Sequence, residues 1–301
     1  MTTMGRMFDA LQKVEREKNQ ELKEDSPKIT SEDVVLDNKL VSFFAPTSIA
    51  SEQYRKLRTY IIRPGMENSP KTILVTSAMA GEGKSLTAIN LAIAIATELH
   101  SHALIVDCDL RNPTLSRWFG FREVKGLSDY LTGEASLQDL LVKTSLDKLS
   151  ILPGGALQDN PAELIGSNKM KSLVADLKAR YADRYIILDS SPLLATTEPS
   201  VLNEMADGIL LVIKSGDTPR ESIQQALKLL DKKKIIGAVL NNVEFKTEAM
   251  IRRYFGTNRY YYDYHYNKLD LEPGIWGKFR SLTRDVKMFL GKLRPRKKED
   301  L

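Results

Sequence analysis

A short β-branched run, Thr72–Thr76, leads into Ser77-Ala78-Met79-Ala80-Gly81-Glu82-Gly83-Lys84-Ser85-Leu86-Thr87 and then into an apolar helical stretch. Strand, glycine loop and helix in that order predict a phosphate-binding loop, which constrains the fold more than any other feature of the chain. Glycines let backbone N–H groups turn inward on phosphates, and the following helix N-terminus adds partial positive charge. Ala80, Gly81, Glu82, Gly83, Lys84, Ser85 and Leu86 are therefore expected to bind a nucleotide. Lys84 is expected to reach the β- and γ-phosphate oxygens, and the Ser85 hydroxyl to coordinate Mg²⁺, so the expected ligands are ATP and Mg²⁺. Ala78 stands where such loops usually carry their first glycine, which is tolerable only if that position does not need a positive φ.

The surrounding pattern alternates strand and helix from about Thr47 to Asn242. Strands are expected at Thr72–Thr76, Ala103–Val106, Leu149–Leu152, Tyr185–Leu188, Gly208–Ile213 and Ile235–Leu240. Helices are expected at Ser85–Leu99, Lys169–Tyr181 and Pro219–Leu230, the last opened by Thr218 as N-cap with Glu221 completing a capping box. Strands apolar on both faces with helices between them predict an α/β fold, doubly wound around a mostly parallel sheet.

Two aspartate motifs fall at strand ends, where parallel sheets bind ligands. One is Asp107-Cys108-Asp109-Leu110-Arg111, the other Asp189-Ser190-Ser191-Pro192. Asp189 sits as a Walker B residue, holding Mg²⁺ directly or through water. Asp109 either supports the metal or only pairs with Arg111. The blander reading of Asp107 and Asp189 is that each caps a turn. Asn241 and Asn242, after the last strand, read adenine or simply turn the chain.

One cysteine, Cys108, excludes an internal disulfide and a cysteine-based zinc site, and a reducing cytoplasm is the simplest home. It is expected to be a buried strand residue. The longest apolar runs, such as Leu91–Ala96 and Ile209–Ile213, are far short of the ~20 residues a membrane-spanning helix needs. Residues Met1–Gln20 are rich in charge and do not resemble a secretory signal. Net charge is +5, but Ile275–Leu301 alone carries nine Lys and Arg against three Asp and Glu, leaving the remainder near neutral. Such asymmetry suits an anionic surface, phospholipid headgroups or a nucleic acid.

Taken together, these residues resemble the bacterial tyrosine kinase family of the exopolysaccharide and capsule type. Its three nucleotide motifs match Ala78–Ser85, Asp107–Arg111 and Ile186–Pro192. Upstream, Glu52-Gln53-Tyr54-Arg55-Lys56-Leu57-Arg58 matches the E-x-x-R-x-x-R helix through which members self-associate. Downstream, Tyr254, Tyr260, Tyr261, Tyr262, Tyr264 and Tyr266 gather six of the eleven tyrosines into thirteen residues. There are departures. Ala80 replaces a common proline, and Asp-Ser-Ser-Pro replaces Asp-Thr-Pro-Pro, yet neither removes a phosphate or metal ligand. Positioning ATPases of the MinD/ParA type share this fold branch, but carry a lysine where Met79 stands and lack the tyrosine cluster. That class, and a non-catalytic nucleotide-gated scaffold, are the alternative readings.

The resemblance implies an ATP-dependent tyrosine autokinase. Lys84, Asp107 and Asp109 would be catalytic, with Asp107 orienting the acceptor hydroxyl or acting as base. Ser85, Asp107 and Asp189 would serve the metal, and Arg111, Asn241 and Asn242 would complete the nucleotide site. Tyr260, Tyr261, Tyr262, Tyr264 and Tyr266 would be the phosphoacceptors on a neighbouring subunit. Glu52, Arg55 and Arg58 would hold that neighbour in a ring-like homo-oligomer sensitive to phosphorylation, although spacing alone allows an ordinary exposed helix. A separate transmembrane activator is implied, and no nucleic acid is expected. The chain then divides into an N-terminal helix and charged linker (1–46), the kinase domain (47–246), a tyrosine-rich tail (247–268) and a basic amphipathic extension (269–301). In the first, Met4, Met7, Phe8, Leu11 and Val14 form a helix-spaced stripe that either docks on its own core or binds a partner. The extension carries Ile275, Phe279, Leu282, Val286, Phe289, Leu290 and Leu293 on one face amid Lys and Arg. It can lie on an anionic membrane or pack on the domain.

Overall fold

The computed structural model describes residues 39–62, 69–121, 124–180 and 183–243. The N-terminal stripe, the tyrosine cluster and the basic extension lie outside them. In chain order the elements are α1 (Val41–Phe44), α2 (Ile49–Ile61), β1 (Thr72–Ser77), α3 (Lys84–Ala96), β2 (His102–Asp107), α4 (Leu115–Trp118), α5 (Leu127–Thr132) and α6 (Leu137–Leu140). They continue with β3 (Val142–Lys143), β4 (Leu149–Leu152), α7 (Pro161–Gly166), α8 (Asn168–Arg180), β5 (Arg184–Asp189), α9 (Glu198–Met205), β6 (Gly208–Lys214), α10 (Arg220–Lys228) and β7 (Ile235–Asn241).

The strands form one seven-stranded sheet in the order β3-β4-β2-β5-β1-β6-β7. Every pairing is parallel except the short edge pair of β3 with β4. Alternation along each central strand sends successive side chains to opposite faces. Leu74, Leu104, Val106, Ile186 and Leu188 pack into one apolar layer; Ile73, Val75, Ala103, Ile105 and Ile187 pack into the other. Two such layers need helices on both faces, the doubly wound arrangement expected from the sequence. Among the described residues, no helix is long and apolar enough to cross a membrane.

The chain order explains where the site forms. β1 and β5 are neighbours at the centre of the sheet; the connection leaving β1 runs past β5 to β2, the one leaving β5 runs past β1 to β6, and the crevice opened where they diverge is where such sheets bind ligands. α3 fixes the loop that leaves β1. It is buried along nearly its whole length, and α1 and α2 cover its outer side. Leu40 joins this core, so packing reaches back before Thr47. Asn90, buried in the middle of α3, is satisfied there: its Oδ1 accepts from Ser42 N at 2.9 Å, and its Nδ2 donates to Lys39 O at 3.2 Å and Leu86 O at 3.0 Å.

The six expected strands occur, each extended by no more than one residue at an end. Two helix readings need correction. α3 stops at Ala96 instead of Leu99, with Thr97 at its C-cap. α10 starts at Arg220, with Pro219 as its N-cap and no side-chain cap. Thr218 does not cap that helix because its hydroxyl is engaged elsewhere, accepting from Lys214 N at 3.0 Å and donating to Glu82.

Candidate functional site

The loop from Ser77 to Gly83 is held by its own backbone and by β5. Gly81 and Gly83 have φ of 78° and 88°, the left-handed region that glycine enters without cost. Ala78 is not among the positive-φ residues, which is why alanine can replace the usual glycine there. The segment after β5 is stitched to this loop: Leu193 N donates to Ser77 O at 2.8 Å and Leu194 N to Ala78 O at 3.1 Å. The unusual Ser190 is used in the same seam, its Oγ donating to Val75 O at 3.2 Å. Gly83 is the N-cap of α3 and has no side chain to offer, so the first-turn N–H groups of that helix face the crevice uncapped by a side chain, as an anion site requires.

Three carboxylates surround the lysine that opens α3. Lys84 Nζ pairs with Asp109 Oδ2 at 3.0 Å, with Lys84 only 15% exposed. Burial opposes its charge, but Asp189, Asp109 and Asp107 together outweigh burial and raise its pKa. Asp107 and Asp189 end β2 and β5 as register partners. Asp107 Oδ2 accepts from Thr114 N and Leu115 N, both at 2.9 Å, so this carboxylate does cap the turn into α4. Its Oδ1 takes only a long bond of 3.3 Å from Asp109 N. Burial, and then the charge of Asp189, push Asp107 up to about 8. Burial pushes Asp189 up to about 7, against the pull of Lys84 and Ser85. Burial likewise pushes the Cys108 thiol well above its ordinary value, so it stays protonated among these acids.

Both oxygens of Asp189 are buried without a hydrogen bond of good geometry, although the Ser85 hydroxyl lies near enough to lower the pKa. A fully buried carboxylate left unsatisfied is costly unless a cation joins it. The donor set fits Mg²⁺, which is typically bound by one or two carboxylates while phosphates and water supply the other ligands. Among the described residues, no three His, Cys, Asp or Glu side chains form a metal cage of their own.

Comparison with known proteins follows this geometry. A family profile described as an AAA domain matches residues 70–243. Tyrosine-protein kinase YwqD of Bacillus subtilis is 34% identical over 224 residues, covering 74% of this chain and 93% of that protein. Tyrosine-protein kinase CpsD of Streptococcus agalactiae is 31% identical over 195 residues, covering 64% of this chain and 82% of that protein. The chain belongs to the bacterial tyrosine-protein kinases. Its fold matches the solved kinase domain of Escherichia coli tyrosine kinase ETK with a TM-score of 0.64 at 26% identity, over 69% of this chain and 82% of that one. The chimerical protein CapA2B2 matches with a TM-score of 0.63 at 29% identity, over 70% and 92%.

In this kinase the remaining expected site residues take varied positions. Arg111 does not pair with Asp109. Its Nε donates to Glu198 Oε1 at 2.7 Å, and the arginine stays half exposed while Glu198 is buried at the start of α9. Asn241 Nδ2 donates to Glu82 O at 2.9 Å, so the asparagine braces the phosphate loop. Asn242 turns the chain, with a φ of 55°. On α2, Arg55 pairs with Glu52 at 2.6 Å and donates to Pro46 O at 2.6 Å, while Arg58 donates to Ala94 O at 3.0 Å. Within one chain, Glu52 and Arg55 stay near the start of α2 while Arg58 ties α2 to the C-terminal end of α3.

Three residues that sequence reasoning passed over belong to the site. Glu198 anchors Arg111, and Thr218 anchors Glu82. Gly154 lets the segment after β4 approach: a Cβ there would meet Pro113 Cβ at 2.7 Å and Asp107 Cγ at 3.4 Å. A lone Glu or Gly carries no motif, Thr218 reads locally as an N-cap, and each partner is distant in sequence, so only Gly154, following Pro153 at a strand end, offered any signal toward the site.

Proposed function

We propose that the kinase transfers the γ-phosphoryl group of ATP to tyrosines of its own C-terminal cluster on a neighbouring copy. The acceptors are Tyr260, Tyr261, Tyr262, Tyr264 and Tyr266. The observation that carries this reading is Lys84 held among Asp107, Asp109 and Asp189 at the uncapped start of α3. Phosphoryl transfer passes through a loose transition state whose charge spreads over the γ-phosphoryl oxygens, so fixed cationic and N–H groups aimed there do most of the work.

Lys84 and the loop N–H groups receive the β- and γ-phosphates. Ser85 and Asp189 would hold Mg²⁺, with Asp107 beside them, and the ion would supply charge neutralisation on the phosphates. The tyrosyl oxygen forms the new P–O bond as the bond to the ADP β-phosphate oxygen breaks. A phenol with a pKa near 10 keeps its proton at neutral pH, so that proton must pass to a base as the bond forms. Asp107 is the base in this scheme, through the oxygen that is not tied to Thr114 and Leu115; burial and the charge of Asp189 keep it protonated in the empty site, and a bound Mg²⁺ would offset both and free it to accept the proton. Asp109 keeps the Lys84 ammonium charged and directed.

Sixteen residues separate Val243 from Tyr260, and the seventeen steps between the two reach at most about 60 Å. That reach admits a neighbour's site as readily as the chain's own. The Glu52, Arg55 and Arg58 face of α2 would hold the neighbour by exchanging its internal contacts for cross-subunit ones. The biological setting proposed is control of exopolysaccharide or capsule polymerisation and export. There the kinase works at the inner face of the plasma membrane with a separate transmembrane activator.

The test is incubation with labelled ATP and Mg²⁺, followed by phosphotyrosine mapping of the parent and of Lys84→Met. Label on the tail tyrosines that Lys84→Met reduces at least about a hundredfold supports the reading, since one lost electrostatic group at a transfer site costs about that much. Undiminished label in Lys84→Met refutes the site.

A further inference from the structure

Glu82 puts into the middle of the phosphate-binding loop a charge of the same sign as the ligand. The structure keeps it 3% exposed and fully engaged. Its Oε2 accepts from Met79 N at 2.8 Å, closing the loop on itself. Its Oε1 accepts from the hydroxyl of Thr218. Its backbone oxygen accepts from Asn241 Nδ2 at 2.9 Å. The amide of Asn241 also fills the space beside Gly83, where a Cβ would meet Nδ2 at 2.0 Å.

The hydroxyl of Thr218 has one proton to give. Lys214 N, at 3.0 Å, occupies its acceptor side, which leaves the proton directed to Glu82. Thr218 follows β6 and Asn241 ends β7, both on one side of β1 in the sheet. Lys84, two residues further along the loop, is drawn to Asp109 beyond β2 on the other side. The loop is therefore spanned between two anchors that pull Glu82 and Lys84 in opposite directions.

We infer that Thr218 is a positioning residue for nucleotide binding: it holds the Glu82 carboxylate away from the polyphosphate and so sets the shape of the N–H cradle between Gly81 and Lys84. This rests on the reading that the cradle binds the phosphates of ATP. Without the hydroxyl, Glu82 loses one of its two side-chain donors, and the carboxylate is free to swing toward the site the phosphates occupy. Repulsion there weakens nucleotide binding without touching the groups that act on the acceptor tyrosine.

The test uses the full chain with Mg²⁺ and a fluorescent ADP analogue, alongside steady-state phosphotyrosine formation. Thr218→Val is expected to raise both the analogue's Kd and the KM for ATP about tenfold, with kcat within about twofold. Thr218→Ser, which keeps the hydroxyl, is expected to restore both. In a Glu82→Ala background, Thr218→Val is expected to add no further loss, because the group it positions is gone. If Thr218→Val does not fold, Glu82→Asp breaks the same contact by one methylene and is expected to raise Kd to a similar extent. Unchanged Kd, equal loss in Thr218→Ser, or full additivity with Glu82→Ala would overturn the inference. Lys84→Met separates the two levels: if it binds the analogue like the parent, the phosphate-site reading itself has failed, whatever Thr218 does.

Discussion

Asp107 and Asp189 stand opposite one another as register partners on β2 and β5, and both carboxylates are fully buried. Burial, chiefly, raises them to about 8 and about 7 from an ordinary 3.8. An acid whose pKa is higher in the folded state stabilises the fold while protonated, and that contribution is lost as pH rises through the folded value. The nucleotide-free kinase should therefore lose the contribution of this pair between about pH 4 and pH 8. Asp189→Asn keeps the shape and removes the titration. In EDTA it is expected to melt several degrees above the parent at pH 8, since each kcal/mol moves Tm by about 2–4 °C in a domain of this size. The gap should close toward pH 5. Thermal melts across that range check it, and a gap independent of pH would contradict it.

The acceptor assignment makes a separate prediction. Changing Tyr260, Tyr261, Tyr262, Tyr264 and Tyr266 to Phe keeps every ring and deletes only the hydroxyls. Most label should disappear, while nucleotide affinity stays unchanged. Mass spectrometry that still finds the label chiefly at other tyrosines would show that the tail is not the main substrate.

Much of the candidate site was legible as a cluster because its residues stand in recognisable local patterns. Lys84 and Ser85 follow their glycines directly, and Asp107 and Asp189 close β-branched runs that can only be buried strands. Thr218 was misread because an N-cap is a local pattern, whereas its real partner, Glu82, is 136 residues away. Glu198, the anchor of Arg111, was invisible for the same reason, at a separation of 87. The short elements α1, α4, α6 and β3 carry too few residues for a period to show, and packing rather than propensity decides them. From the sequence Asp109 supports the metal or pairs with Arg111; the geometry gives it Lys84 instead, with Glu198 taking Arg111.

Phosphorylation should also govern assembly. Each phosphotyrosine carries roughly −1.5 to −2 charge, and several within seven residues repel one another and the aspartates around the neighbour's site. The unmodified kinase is expected to self-associate and the phosphorylated one to dissociate. Arg55→Ala combined with Arg58→Ala should stay apart without phosphate. Light scattering measures all three; equal mass for modified and unmodified forms, or full association of the double variant, would contradict the scheme.

The basic C-terminal extension lies outside the described residues and is tested by binding. Each Lys or Arg near an anionic leaflet contributes about 1 kcal/mol, attenuated by salt. The full chain should sediment with anionic vesicles at low salt and release at high salt, and a chain ending at Asp270 should not sediment. Equal partitioning of the two chains would assign the apolar stripe to packing on the kinase domain.

The most direct test of the central claim mixes two variants. One carries Lys84→Met with its tail intact; the other keeps Lys84 but has Phe at Tyr260, Tyr261, Tyr262, Tyr264 and Tyr266. Neither alone should give appreciable tail phosphotyrosine with ATP and Mg²⁺. Together they should place phosphotyrosine on the tail of the Lys84→Met chain, at a rate that rises with the concentration of the second variant. A tail that stays unlabelled in the mixture, while the parent labels its own, would contradict transfer between copies.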